Sequence, residues 1–248
     1  MTPRLRDAFE TAYKAFGSRR LGRPMEVCRC NMCMSDEMER SILRTPLREL
    51  SREQLYEYTN SAHGWSDEFL YFIPRYMELI ERGEELTLLD NHQILARFKK
   101  APENRMSAAE EAALGEWLLA LFEDRLLRPV SDEELDRAAR SIGDLCFPDF
   151  LARDLAEVIE VASPTPFDTT GFQKLWDSCR TREADLRLAG LILLATAEGW
   201  STTGDPRRTR ALWWMWLSRF WSDDNRLVEA FERETDECAQ ELLLAALG

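Results

Sequence analysis

The chain has 248 residues, with 32 Lys+Arg against 45 Asp+Glu and a formal net charge of −13. Apolar residues make up 45% and charged residues 31%, with 11 Gly and 10 Pro, which excludes a disordered, collagen-like or disulfide-stapled chain. The acidic balance argues against nucleic acid and anionic membranes as partners, because phosphate contact needs clustered Lys and Arg. It suits plain solubility, as in many acidic cytosolic proteins, or a protein partner whose own surface is basic.

Strand signals are nearly absent and helix signals dense, which predicts an all-α fold. The expected architecture is a multi-helix orthogonal or antiparallel bundle, or an irregular α-solenoid, of about ten to twelve helices. Helices are predicted near 3–16, 36–43, 51–61, 66–82, 90–100, 107–127, 131–141 and 148–161. More follow near 168–179, 182–198, 207–221 and 223–246. Ser51-Arg-Glu-Gln54, Ser107-Ala-Ala-Glu110 and Ser131-Asp-Glu-Glu134 each fit a capping box. Pro74 should kink the helix over Ser66–Arg82 or start a new one, because it lacks an N–H. The proline-rich segment 162–170 reads as a linker between an N-terminal lobe, 1–161, and a C-terminal lobe, 171–248. The alternative is one continuous domain.

The N-terminal residues MTPRLRDAFETAYKAF lack the apolar run and cleavage site of a secretory signal. The longest apolar stretch, Leu188–Ala197, has ten residues, half the length of about 20 that spans a membrane. Both observations predict a soluble, cytoplasmic chain. In that compartment the six cysteines are expected as thiols or metal ligands before disulfides.

Half of those cysteines fall in Cys28-Arg29-Cys30-Asn31-Met32-Cys33. Thiolates at this spacing on a loop suit a structural Zn²⁺, which would pin a segment too poor in apolar surface to fold down alone. A tetrahedral site needs a fourth ligand, with His63, His92, Asp36 or a distant cysteine as candidates. The competing readings are free thiols packed as small hydrophobes and a Cys30–Cys33 redox pair, although no βαβ pattern surrounds it. Cys146, Cys179 and Cys238 are expected in the core.

After the cysteines come Thr45-Pro-Leu-Arg-Glu-Leu50, Phe69, Phe72-Ile-Pro-Arg75 and Glu78-Leu79. This string resembles an uncharacterised bacterial family with N-terminal cysteines followed by a PLREL…FLPR…EL pattern. The likeness covers residues 23 to about 80, implies a bacterial helical protein, and brings no activity or functional residue with it.

In the helix after Ser107, Glu110, Glu111, Glu116, Glu123 and Asp124 occur without one Lys or Arg between residues 107 and 124. They are expected to form a solvated acidic face that binds a basic partner. Further on, Trp213, Trp216, Leu217 and Phe220 share one helical face, widened by Trp214 and Trp221. Core packing against 188–197 and 242–247 is the favoured reading of that stripe. The basic run Arg207–Arg210 sits where the helix dipole disfavours it, so the acidic stretch 223–241 is expected to offset it.

No phosphate loop, zinc-protease, nucleophile-elbow or kinase motif occurs, and only two histidines are available as general bases. An enzyme is therefore unsupported. The expected function is a non-catalytic acidic helical protein that binds another protein, such as a bacterial immunity or antitoxin-type inhibitor of a basic partner. The alternative is a zinc-stabilised regulatory or adaptor module centred on Cys28, Cys30 and Cys33.

Overall fold

Side-chain caps and apolar periodicity set the elements. The computed structural model describes residues 1–30, 32–62, 67–87, 92–95, 97, 105–142, 151–163, 165–197, 209–222 and 225–247. Twelve helices of eight residues or more make up an all-α bundle, with no strand among the described residues. In chain order the helices are α1 (Pro3–Ala15), α2 (Asp36–Arg44), α3 (Arg52–Ser61), α4 (Asp67–Glu81), the short α5 (His92–Leu95), α6 (Ala108–Leu127) and α7 (Asp132–Ser141). They continue as α8 (Arg153–Ala162), α9 (Thr170–Ser178), α10 (Arg182–Ala197), α11 (Thr209–Ser222), α12 (Arg226–Arg233) and α13 (Glu237–Ala246). All three expected capping boxes form: at α3, α6 and α7 the serine hydroxyl and the Gln or Glu three residues on satisfy each other's backbone N–H.

Two expectations need correction. α4 runs through Pro74 as one helix, so Pro74 does not start a new one. The helix expected over 223–246 is two, because Glu234 and Asp236 divert the backbone between them. Glu234 accepts the N–H groups of Thr235 and Asp236, and Asp236 caps α13 through the Ala239 N–H.

The chain forms two compact units, residues 1–121 with 161–167 and residues 122–160 with 168–248. The segment 162–170, expected as a linker, contributes its first part to one unit and its last part to the other.

In the first unit α1 packs on α4, and α2 on α3. Leu5, Ala8, Phe9, Ala12 and Phe16 are buried along one face of α1 and just past it. The aromatic core joins Tyr58 to Phe72 at 4.4 Å between ring centroids and Phe69 to Tyr76 at 5.9 Å. The Tyr76 hydroxyl, fully buried, finds Thr59 Oγ1 at 2.7 Å; burial pushes its pKa up to about 12. The Pro46–Leu50 and Phe72–Arg75 motifs meet here: Arg75 donates to the Leu50 carbonyl at 2.9 Å and pairs with Glu78 at 2.5 Å. Tyr13 donates to Glu78, and Arg48 lies 3.8 Å over the Tyr13 ring. These motif residues serve as a packing joint.

In the second unit α10 is buried on nearly every side from Ala184 to Ala195. Such a helix reads as apolar all round rather than amphipathic. α10 packs against α12 and α13, and α13 against α7. Gly190 permits the close approach of residues 151–152, since a Cβ there would meet the Leu151 Cβ at 3.2 Å.

Trp213, Trp216 and Leu217 of α11 are buried as expected. The rings around them are Phe122, Phe172 and Trp176: Phe122 stacks on Phe172 at 4.4 Å, and Trp213 and Trp216 lie 6.3 and 5.5 Å from Trp176. Aromatic partners in α6 and α9 were not anticipated. Trp176 donates to the Ala184 carbonyl at 3.0 Å. Cys179 and Cys238, expected in the core, are only half-buried, since each sits at or near a helix end and keeps one side open. Cys146, Arg207 and Arg208 lie outside the described residues, as do the side chains of Arg210, Phe220 and Trp221.

Two buried arginines organise this unit. Arg226, 2% exposed, donates to Asp185 at 2.5 Å and to the carbonyls of Trp176 and Cys179 at 2.9 and 2.6 Å, closing the end of α9. Arg187 donates to Leu151 O at 2.6 Å and to Arg128 O, just past α6, at 3.0 Å. Removing one partner of a buried ion pair strands the other, so Asp185→Ala should lower stability by roughly 3–5 kcal/mol in urea unfolding. Arg226→Lys should be nearly as damaging, because one ammonium cannot serve a carboxylate and two carbonyls in the plane a guanidinium spans.

Candidate metal centre

Between α1 and α2 the chain forms no helix among the described residues and is pinned at several points. Val27 pairs antiparallel with Ala62, and the Cys28 N–H donates to Ser61 O at 2.7 Å. The Met34 N–H donates to Ser61 Oγ at 2.8 Å. Met25, Val27 and Met34 are buried. Two carboxylates hold the other side. Glu39 of α2 accepts the Met25 N–H at 2.7 Å and is paired with Arg29, which also donates to Met25 O. Glu68 of α4 accepts the N–H groups of Gly22 and Glu26 at 3.0 and 2.9 Å. Burial pushes the Glu68 carboxyl above its ordinary value, against those two bonds. A Cβ at position 22 would sit 2.6 Å from Glu68 Oε1, so a larger residue there would displace that carboxylate.

The three cysteines lie between these anchors. The sulfurs of Cys28, Cys30 and Cys33 are all within 4.8 Å of one another, and Cys30 and Cys33 approach to 3.2 Å. Three sulfurs on one tetrahedral Zn²⁺ stand about 3.8 Å apart, given Zn–S bonds of about 2.3 Å. The group is therefore within small side-chain rotations of a ligand set. Cys30 is exposed, and Cys28 and Cys33 are half-buried. The hydrogen bond with Cys33, helped by the Met32 backbone and Cys28, brings the Cys30 thiol down to about 7. The same bond with Cys30 pushes Cys33 up to about 12. The shared hydrogen bond thus favours the thiolate at Cys30 and the thiol at Cys33. Such a soft, sulfur-only set suits thiophilic ions over hard cations.

Among the described residues no carboxylate or imidazole joins the three sulfurs. Asp36, a candidate fourth ligand, is instead 3.6 Å from Arg29 with its side chain 79% exposed. His63 and the His92 side chain lie outside the described residues. Glu39, Glu68 and Ser61, which position the loop, were not singled out from the sequence; an acidic residue or a serine in a helix carries no local sign of its target.

The carboxylates of α6 do not form the expected solvated face. Glu110 is 2% exposed and bonds Arg19 through both oxygens, at 2.6 and 2.7 Å. Glu116 pairs with Arg4 at 2.7 Å. Asp124 is 9% exposed, and Glu123 is half-buried. Glu111 alone of the five is exposed. The stretch lacks basic residues of its own because its partners come from α1 and the segment after it. Burial pushes the Glu110 carboxyl up, but the bonds from Arg19 and Ser107 outweigh this and hold it below its ordinary value.

No family model, curated protein or solved structure compared with the chain matches it.

Ser61→Ala should leave the buried Met34 N–H without its acceptor, cost about 1–3 kcal/mol, and raise hydrogen exchange at that amide. Glu110 is depressed only in the folded chain, so its contribution is present above the carboxylate range and lost as pH falls through it. Glu110→Gln should accordingly lower the melting temperature at neutral pH and flatten its decline toward about pH 4, as followed by thermal unfolding across pH.

Proposed function

We propose that the chain is a zinc-stabilised regulatory or adaptor module in which Cys28, Cys30 and Cys33 hold the ion. The observation that carries this reading is the convergence of three sulfurs on a loop already docked to α2, α3 and α4. A structural ion there would fasten the part of the loop that makes the fewest apolar contacts, adding binding free energy to the folded state. His63 is the proposed fourth ligand on its place in the chain: it follows Ala62, whose backbone pairs with Val27 next to Cys28.

The reading as an acidic inhibitor of a basic partner has less support. Glu110 and Glu116, which were to carry it, are already paired with arginines of the same chain. The net charge of −13 remains its basis.

Protein expressed with zinc and purified without chelator should hold about one Zn²⁺ per chain by elemental analysis. The variant with Cys28, Cys30 and Cys33 all replaced by Ser should lose the metal while keeping its helical circular dichroism. His63→Ala should weaken binding without abolishing it. A metal-free wild type, or a triple variant that keeps its zinc, overturns the reading.

A further inference from the structure

The loop holds two of its sulfurs closer than a metal requires. Cys30 and Cys33 are 3.2 Å apart, whereas a disulfide is about 2.05 Å long, so bonding needs an approach of little over an ångström. The backbone is already folded for it: the Cys33 N–H donates to Cys30 O at 3.2 Å, bringing the two residues round one turn. The flanks are fixed by the Val27–Ala62 pairing and the Met34–Ser61 bond, so closure is confined to the few residues between them. Access is open, since Cys30 is exposed and Met32, within the turn, is 92% exposed.

We infer that Cys30 and Cys33 form a reversible dithiol–disulfide couple, oxidised by hydrogen peroxide, whose disulfide form gives up the metal. The metal half of this rests on the zinc reading above; the couple itself does not. In the first step the Cys30 sulfur attacks one peroxide oxygen. An S–O bond forms, the O–O bond breaks, and hydroxide leaves to take a proton and become water. In the second step the Cys33 sulfur attacks the Cys30 sulfenic acid. The S–S bond forms, the S–O bond breaks, and the hydroxyl leaves as a second water with the Cys33 proton. The two thiols supply two electrons and two protons, and the peroxide is reduced to water. Two of the three sulfurs are then bonded to each other, and Cys28 with the proposed His63 offers too few ligands to retain the ion. A dithiol reductant reverses the step by thiol–disulfide exchange.

The test uses the full chain, reduced and metal-free, treated with hydrogen peroxide, blocked with an alkylating agent and digested with trypsin. Cleavage after Arg29 and Arg40 isolates Cys30 and Cys33 in one peptide and leaves Cys28 in another. The 30–40 peptide should escape alkylation, weigh two hydrogens less than its dithiol form, and take up two alkyl groups after reduction. Cys33→Ser should instead leave Cys30 as a sulfenic acid that a dimedone probe traps. In the zinc arm, peroxide should release the ion and dithiothreitol should restore binding. Disulfide formation in a chain that never takes up zinc keeps the couple and ends the zinc reading. Zinc uptake with no internal disulfide in the 30–40 peptide, or with Cys28 cross-linked instead, ends the couple and keeps the zinc reading.

Discussion

Helix ends and loop carbonyls that face inward have no solvent to accept from, and this protein satisfies them with guanidinium groups. Arg75 reaches Leu50 O, Arg97 reaches Thr59 O near the end of α3, and Arg29 reaches Met25 O. In the second unit Arg187 serves Leu151 O and Arg128 O, and Arg226 serves Trp176 O and Cys179 O. A cation near the C-terminal end of a helix also suits the macrodipole. Several of these arginines bind a carboxylate with their remaining donors, as Arg226 does with Asp185, Arg75 with Glu78 and Arg29 with Glu39. All but four of the 32 basic residues are arginine, and the planar five-donor fork is well shaped to serve a carbonyl and a carboxylate together.

The acidic composition takes on a different meaning in that light. Part of the carboxylate excess is internal: Asp185, Glu39, Glu68 and Glu110 are buried and hold main-chain N–H groups or arginines. Counting charges in a sequence cannot separate such groups from those in water. Burial raises the Glu68 carboxyl while pairing keeps Glu110 low, so neighbouring acids in one unit differ in what it takes to protonate them.

What could be read without coordinates was local. The serines that cap α3, α6 and α7 announce themselves three residues ahead of their partners, and the Trp213–Trp216–Leu217 stripe shows at helical spacing. The cysteine group was legible because all three sulfurs come from six consecutive residues. Nonlocal pairing was hidden. Glu110 and Glu116 looked solvated because Arg19 and Arg4 lie 91 and 112 residues away in sequence. Partners on other elements likewise concealed Glu39 and Glu68 as anchors of the cysteine loop and Phe122 and Phe172 as neighbours of the indoles. Pro74, read as a helix start or a kink, lies inside α4, whose Phe72, Ile73 and Tyr76 are buried on either side of it in sequence; burial of that kind offsets the loss a proline causes in an isolated helix.

Most fastenings of the 22–34 segment share one trait: the amides of Gly22, Met25, Glu26, Cys28 and Met34 do the holding. Main-chain donors are common to every residue type except proline. Side chains in that stretch therefore carry less of the architecture, apart from Arg29, which pairs with Glu39 and donates to Met25 O, and the apolar contacts of Met25, Val27 and Met34. The fold presents a mount whose chemical cargo is interchangeable, so a lineage could rewrite the sulfur-bearing positions, for another ion or for none, while the bundle beneath kept its shape.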